Sequence, residues 1–86
     1  MKLLWSETAW SDYLYWQSQD RKTLKKINSL LNDITRTPFE GKGKPEPLKA
    51  SLTGYWSRRI DEKNRIVYKE EDGIVVIYSC RGHYED

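Results

Sequence analysis

His83 is the only histidine in the chain and sits in the segment Arg81-Gly82-His83-Tyr84. Histidine is the one side chain whose ordinary pKa suits proton transfer near neutrality. Gly82 allows the backbone to bend just before it, while Arg81 and Tyr84 bring a guanidinium and a phenol to the same place. Glu46 lies between Pro45 and Pro47, in a stretch bracketed by Lys42, Lys44 and Lys49. Two prolines restrict its backbone, and surrounding cations favour its charged form, so it is available as a base. Arg58, Arg59 and Arg65 fall on two predicted strands, where alternation sends Arg58 and Arg59 to opposite faces. An arginine in mid-strand either snorkels at an edge or grips an anion with its planar fork. Each residue also has a plainer reading: a chain-end histidine, a solubilising glutamate, a solvated cation.

Taken together, a carboxylate base, a histidine acid, arginines for a phosphate and a terminal tyrosine suit the cleavage of RNA. The base takes the 2′-OH proton, the alkoxide attacks phosphorus, cations stabilise the added charge, and the acid protonates the departing 5′-oxygen. RNA carries its own nucleophile, so this chemistry calls for no metal and no cofactor. One histidine and one cysteine do not make a zinc set. Cys80 falls in an apolar strand and reads as core. Gly41-Lys42-Gly43-Lys44 lacks the spacing of a phosphate loop and the Ser or Thr that should follow.

The elements that must position these groups read as an α+β domain. Residues 2–5 form a short strand, and Ser6 caps a first helix over about residues 7–18. Trp10, Tyr13, Leu14 and Gln17 repeat along that helix, with Trp16 at one edge. Asp20 caps a second helix, whose stripe is Leu24, Ile27, Leu31 and Ile34 with Leu30 in support, and which stops before Pro38. Residues 38–47 are an irregular, proline-stiffened loop. Leu48 to Leu52 reads as a brief strand, and Tyr55 to Ile60, Arg65 to Glu70 and Ile74 to Cys80 as a meander turning at residues 61–64 and at Asp72-Gly73. The last strand is apolar on both faces and belongs in the centre of a small antiparallel sheet. Trp10, Trp16 and Trp56 are assigned to packing.

The chain has 86 residues, of which 37% are hydrophobic and 33% charged, and a formal net charge of +2. That length suits one domain over 1–86 and excludes large cofactor folds; four Trp and six Tyr argue against disorder. A lone cysteine excludes an internal disulfide, and no apolar run reaches the ~20 residues of a membrane span. A cytoplasmic protein without membrane contact is expected. The net charge conceals −2 over residues 1–20, +8 over 21–69 and −4 over 70–86. A basic middle between acidic ends predicts one positive face for a polyanion, although a solvated mixed-charge surface reads equally well.

Four stretches resemble the YoeB toxins of YoeB–YefM toxin–antitoxin pairs, within the RelE-like superfamily. They are Trp10 to Gln17, Thr37 to Lys49, Trp56-Ser57-Arg58-Arg59-Ile60 and His83-Tyr84. The resemblance implies an antiparallel sheet packed on two N-terminal helices, and an endoribonuclease that cuts mRNA in the ribosomal A site. By position it implies Glu46 as general base, His83 as general acid, Arg65 as the phosphate-stabilising arginine and Tyr84 as the tyrosine that orders the site. Lys49 and Arg59 match supporting basic positions; with Lys44 and Arg81 they are the candidate substrate-binding cations. It also implies a homodimer, neutralisation by a YefM-like antitoxin, and operator DNA binding only through that antitoxin. The chain departs from the family pattern at Lys63, commonly acidic, and at Glu85-Asp86, which follow the usual terminal tyrosine. Two other readings use the same residues: a non-catalytic ribosome- or RNA-binding protein, and a structural subunit whose polar groups satisfy an interface.

Overall fold

The computed structural model describes residues 1–83. Strand β1 (Lys2–Trp5) leads into helices α1 (Glu7–Gln19) and α2 (Arg21–Arg36); β2 (Glu46–Pro47), a 3-10 turn (Ala50–Leu52), β3 (Trp56–Arg59), β4 (Arg65–Glu71) and β5 (Ile74–Ser79) follow. The sheet order is β1-β5-β4-β3-β2. β2 to β5 pair antiparallel, and β1 joins the far edge parallel to β5, with Leu3 opposite Val75. β5 is therefore an interior strand, and β4 occupies the middle.

Both helices begin as their capping residues dictate. Ser6 Oγ accepts the Ala9 N–H at 2.9 Å, and Asp20 Oδ1 accepts those of Lys22 and Thr23 at 3.1 Å each. Asp20 also ends α1, its own N–H bonded to Trp16 O. One residue thus makes the joint of the helical hairpin. α2 buries Ile27, Leu30, Leu31 and Ile34 against Ile66 and Tyr68 of β4 and Val75 and Ile77 of β5, so its apolar stripe is the predicted one.

α1 turns differently. Its buried residues are Ala9 and Trp16, while Trp10 stays 48% exposed. The inward stripe is rotated by about one residue from that drawn through Trp10 and Leu14. The cause is polar. Trp16 Nε1 donates to Cys80 O at 2.9 Å, and Asp12 Oδ2 accepts the Cys80 N–H at 3.0 Å. The assignment of Trp16 to packing is right, and that of Trp10 is not: Trp10 lies in a surface cluster with Trp5 and Tyr13. The strand predicted over Leu48 to Leu52 is also replaced. The strand ends at Pro47, with one further bond from the Leu48 N–H to Tyr55 O, and Ala50 takes a left-handed φ of 53°, which no strand can accommodate.

Alternation divides the sheet. Ile66 and Tyr68 face the helices, while Val67 faces away, in register between Ser57 of β3 and Ser79 of β5. Among the described residues no helix is long and apolar enough to cross a membrane. Cys80 is buried against Ala9 O, and burial, aided by the Asp12 charge, pushes its thiol up to about 12. At pH 8 an aromatic disulfide reagent should therefore label Cys80 of the native chain orders of magnitude more slowly than that of the chain unfolded in guanidinium.

Candidate active site

The loop that ends in Glu46 is built around Arg58. Register turns this side chain to the helical side of β3, where it is fully buried. A guanidinium has five N–H donors and all must be satisfied in such a place. Nε donates to Tyr68 OH (3.0 Å), Nη1 to Asp33 Oδ2 and to Lys42 O (3.1 Å), and Nη2 to Thr37 O and to Glu40 O (2.9 Å). Tyr68 OH in turn donates to Pro38 O at 2.6 Å. The carbonyls of Thr37, Glu40 and Lys42 are thus collected by one side chain from the sheet. Asp33 Oδ2 also accepts the Lys42 N–H at 2.9 Å. That bond first, and the Arg58 guanidinium second, hold the Asp33 carboxyl below its ordinary value. Burial is the main influence on the Tyr68 phenol and pushes it up.

Two glycines make the approach possible. A Cβ on Gly41, at φ 120°, would stand 2.2 Å from Asp33 Oδ2. One on Gly43, at φ 80°, would crowd Leu30 at 2.9 Å, and Gly43 O accepts the Arg59 N–H at 2.7 Å. The chain then enters β2 with Glu46 opposite Ser57.

On the face away from the helices, Arg65 Nη1 donates to Glu46 Oε1 at 2.6 Å and to Ser57 Oγ at 3.0 Å. The Arg65 side chain is 15% exposed and that of Glu46 54%, so the pair sits at the open surface with its arginine end seated in the sheet. Arg59 is on this face too, exposed and in register with Arg65. The segment preceding His83 reaches the same place, because Gly82 O accepts the Arg65 N–H at 2.9 Å and the Gly82 N–H donates to Asn64 Oδ1 at 2.9 Å. His83 is exposed.

Of the residues singled out in the sequence, Glu46 and Arg65 are in contact and His83 follows a residue bonded to Arg65. Lys44 and Lys49 are exposed on either side of β2, Lys44 with a φ of 54°. Arg81 goes elsewhere: its guanidinium stacks 3.6 Å from the centre of the Tyr15 ring on α1. Tyr84, Glu85 and Asp86 lie outside the described residues. Ser57 and Asn64 escaped notice because a serine in a strand and an asparagine in a turn carry no signal of their own; only register and the turn give them partners. Among the described residues no group of three or more His, Cys, Asp or Glu could hold a metal ion.

Because the Asp33 carboxyl is lowered in the fold, its contribution is complete above the ordinary value of 3.8 and is lost as pH falls through the depressed one. Thermal unfolding from pH 6 to pH 2 should therefore show Asp33→Asn less stable than wild type at pH 6, with the gap closing in acid. Arg58→Ala should cost about 1–3 kcal/mol, since it leaves the carbonyls of Thr37, Glu40 and Lys42 without their donor; denaturant unfolding measures it.

Comparison with known proteins agrees along nearly the whole chain. Residues 5–84 match the family described as the YoeB-like toxin of bacterial type II toxin–antitoxin systems. The toxin YoeB of Escherichia coli K12 is 61% identical over 84 residues, covering 98% of this chain and all of that one. The YoeB dimer of Staphylococcus aureus superposes with a TM-score of 0.91 at 48% identity, over 98% of each chain. The heterotetrameric YoeB–YefM complex of the same organism gives 0.90 at 48% identity, again over 98% of each. With this sheet, this helical hairpin and this sequence, the chain belongs to the family of YoeB-like toxins of bacterial type II toxin–antitoxin systems.

Proposed function

We propose that the chain is a ribosome-dependent endoribonuclease that cuts mRNA in the A site and so stops translation, with Glu46 as base, Arg65 as phosphate ligand and His83 as acid. The observation that carries the assignment is the Glu46–Arg65–Ser57 contact on the open face of the sheet, joined through Gly82 to the segment bearing His83. In the reaction, Glu46 takes the proton of the 2′-OH as the oxygen attacks the adjacent phosphorus. Arg65 exchanges its bond to Glu46 for the phosphoryl oxygens, whose charge grows in the transition state. His83 gives its proton to the 5′-oxygen as the P–O bond breaks, leaving a 2′,3′-cyclic phosphate and a 5′-hydroxyl. Tyr84, next to His83, orders the site. Lys44, Lys49 and Arg59 meet the phosphates of neighbouring nucleotides, whereas Arg81, stacked on Tyr15, stands apart from them.

The partners are a second copy of the chain and a YefM-like antitoxin, through which operator DNA is bound, and the compartment is the cytoplasm. Exposed Leu3 and Leu4 on the edge strand β1, with exposed Trp10 against Trp5, support protein partners, since exposed apolar side chains favour burial. A groove lined by Leu3, Trp5, Trp10, Tyr13 and Leu31, among others, runs through the same area.

Expression should arrest growth, and primer extension on mRNA from translating cells should show new 5′ ends within A-site codons. His83→Ala and Glu46→Ala should each lower single-turnover cleavage by about 10²–10⁴-fold while keeping the wild-type melting temperature within a few degrees. Folded variants that cleave as fast as wild type would remove the roles assigned here. Salt-sensitive binding without new 5′ ends would instead indicate a non-catalytic RNA-binding protein.

A further inference from the structure

Residues 64 and 65 meet Gly82 through two hydrogen bonds of opposite sense. Gly82 donates its N–H to Asn64 Oδ1 and accepts the Arg65 N–H at its carbonyl, both at 2.9 Å. Both polar groups of the glycine peptide are thus engaged one residue before His83. The Asn64 side chain cannot turn over to break the first bond, because its other end is fixed. Nδ2 donates to Asp61 at 3.1 Å (Oδ1) and 3.2 Å (Oδ2). Asp61 is anchored in its turn, Oδ1 accepting the N–H groups of Lys63 (2.8 Å) and Asn64 (2.7 Å). Gly82 has a φ of 102°, and among the described residues beyond its two neighbours no atom lies within 4 Å of where a Cβ would stand, so glycine serves the left-handed conformation here. A backbone free to leave that region would carry His83 with it.

We propose that Asn64 is a positioning residue for the general acid. Its amide, oriented by Asp61, clamps Gly82 against Arg65, so that the proton donor and the phosphate ligand keep one relative placement. The proposal rests on the function assigned above, in which the P–O2′ bond forms as the P–O5′ bond breaks, Glu46 gains a proton and His83 loses one to O5′. Asn64 touches no reacting atom. Its effect should appear only where proton delivery matters, because misplacing a catalytic group by about 1 Å is enough to cost on the order of 10²-fold.

The test uses ribosomes programmed with mRNA carrying either the natural 5′-oxygen or a bridging 5′-sulfur at the cut, with single-turnover rates measured against toxin concentration. A thiolate leaves without protonation, so the sulfur substrate bypasses the acid. On the oxygen substrate, Asn64→Ala should lower the maximal rate about 10–100-fold with half-saturation unchanged. On the sulfur substrate its rate should return to within about threefold of wild type, as should that of His83→Ala. The exchange Asp61→Asn with Asn64→Asp keeps an acceptor for Gly82 and reverses the donor and acceptor between the two side chains, so it should restore cleavage of the oxygen substrate. A full-rate Asn64→Ala, an equal loss on both substrates, or an exchange variant as slow as Asn64→Ala overturns the clamp. Those results leave the proposed function standing; a wild-type chain that cuts neither substrate overturns the function, and the clamp with it.

Discussion

Everything about the candidate site depends on a guanidinium that lies out of reach of solvent. A buried arginine is costly to desolvate and cannot shed its charge, so its surroundings must satisfy it completely. Arg58 meets that demand with one carboxylate, one phenol and three backbone carbonyls. The carbonyls belong to residues 37–42, a stretch with no helix or strand of its own. Removing the cation would therefore do more than weaken a pair; it would release the only common anchor those carbonyls share among the described residues. Glu46 begins its strand four residues beyond the last of them, so the placement of an exposed carboxylate is set from the opposite face of the sheet.

That arrangement assigns different work to the two faces. Toward the helices, Ile66, Tyr68, Val75 and Ile77 pack on the α2 stripe, and the polar residues among them, Arg58 and Asp12, bind backbone. Away from the helices, the sheet offers Ser57, Arg59, Arg65 and Val67. A second set of bonds secures the other arm of the site. Asp12 and Trp16 hold both polar groups of Cys80, and Asn64 and Arg65 hold both of Gly82. Two irregular segments, one before β2 and one after β5, thus have their backbone polar groups engaged by the helices, by β3 and β4, and by the turn between those strands. In a chain of this size, with few residues to spare for a core, that is an economical way to order loops.

Much of this was legible in the sequence, and the limits follow from physics. α2 could be read because its apolar positions repeat with the helical period and its caps are local. The meander could be read because Asp72-Gly73 and the 61–64 turn punctuate β-rich runs. α1 was misjudged by about one residue because its inward face includes Asp12, a polar group satisfied by Cys80, far away in the chain. Arg58 and Arg59 were correctly sent to opposite faces by alternation alone. What alternation could not reveal is that Arg58 serves neither an edge nor an external anion but the chain's own carbonyls. The spacing Gly41-x-Gly43 was the available clue, since close backbone approach requires such residues, yet its target was two elements away.

The two arginine–carboxylate pairs contrast in a way that matters for activity. Arg58–Asp33 has its cation fully enclosed, whereas Arg65–Glu46 leaves the carboxylate more than half exposed. A pair with its carboxylate in water is held less firmly than an enclosed one, because water solvates that end almost as well as the arginine does. An approaching phosphate can therefore take Arg65 from Glu46 at little cost, and the exchange frees a carboxylate where the proposed reaction needs a base. Ser57 keeps its hold on the guanidinium meanwhile, so the arginine can change partner without losing its place in the sheet. A pair as enclosed as Arg58–Asp33 could not make that exchange, and one with neither end seated would not direct the phosphate. In the proposed reaction, the seated geometry of Arg65 would let one residue guard the base at rest and bind the anion in the act.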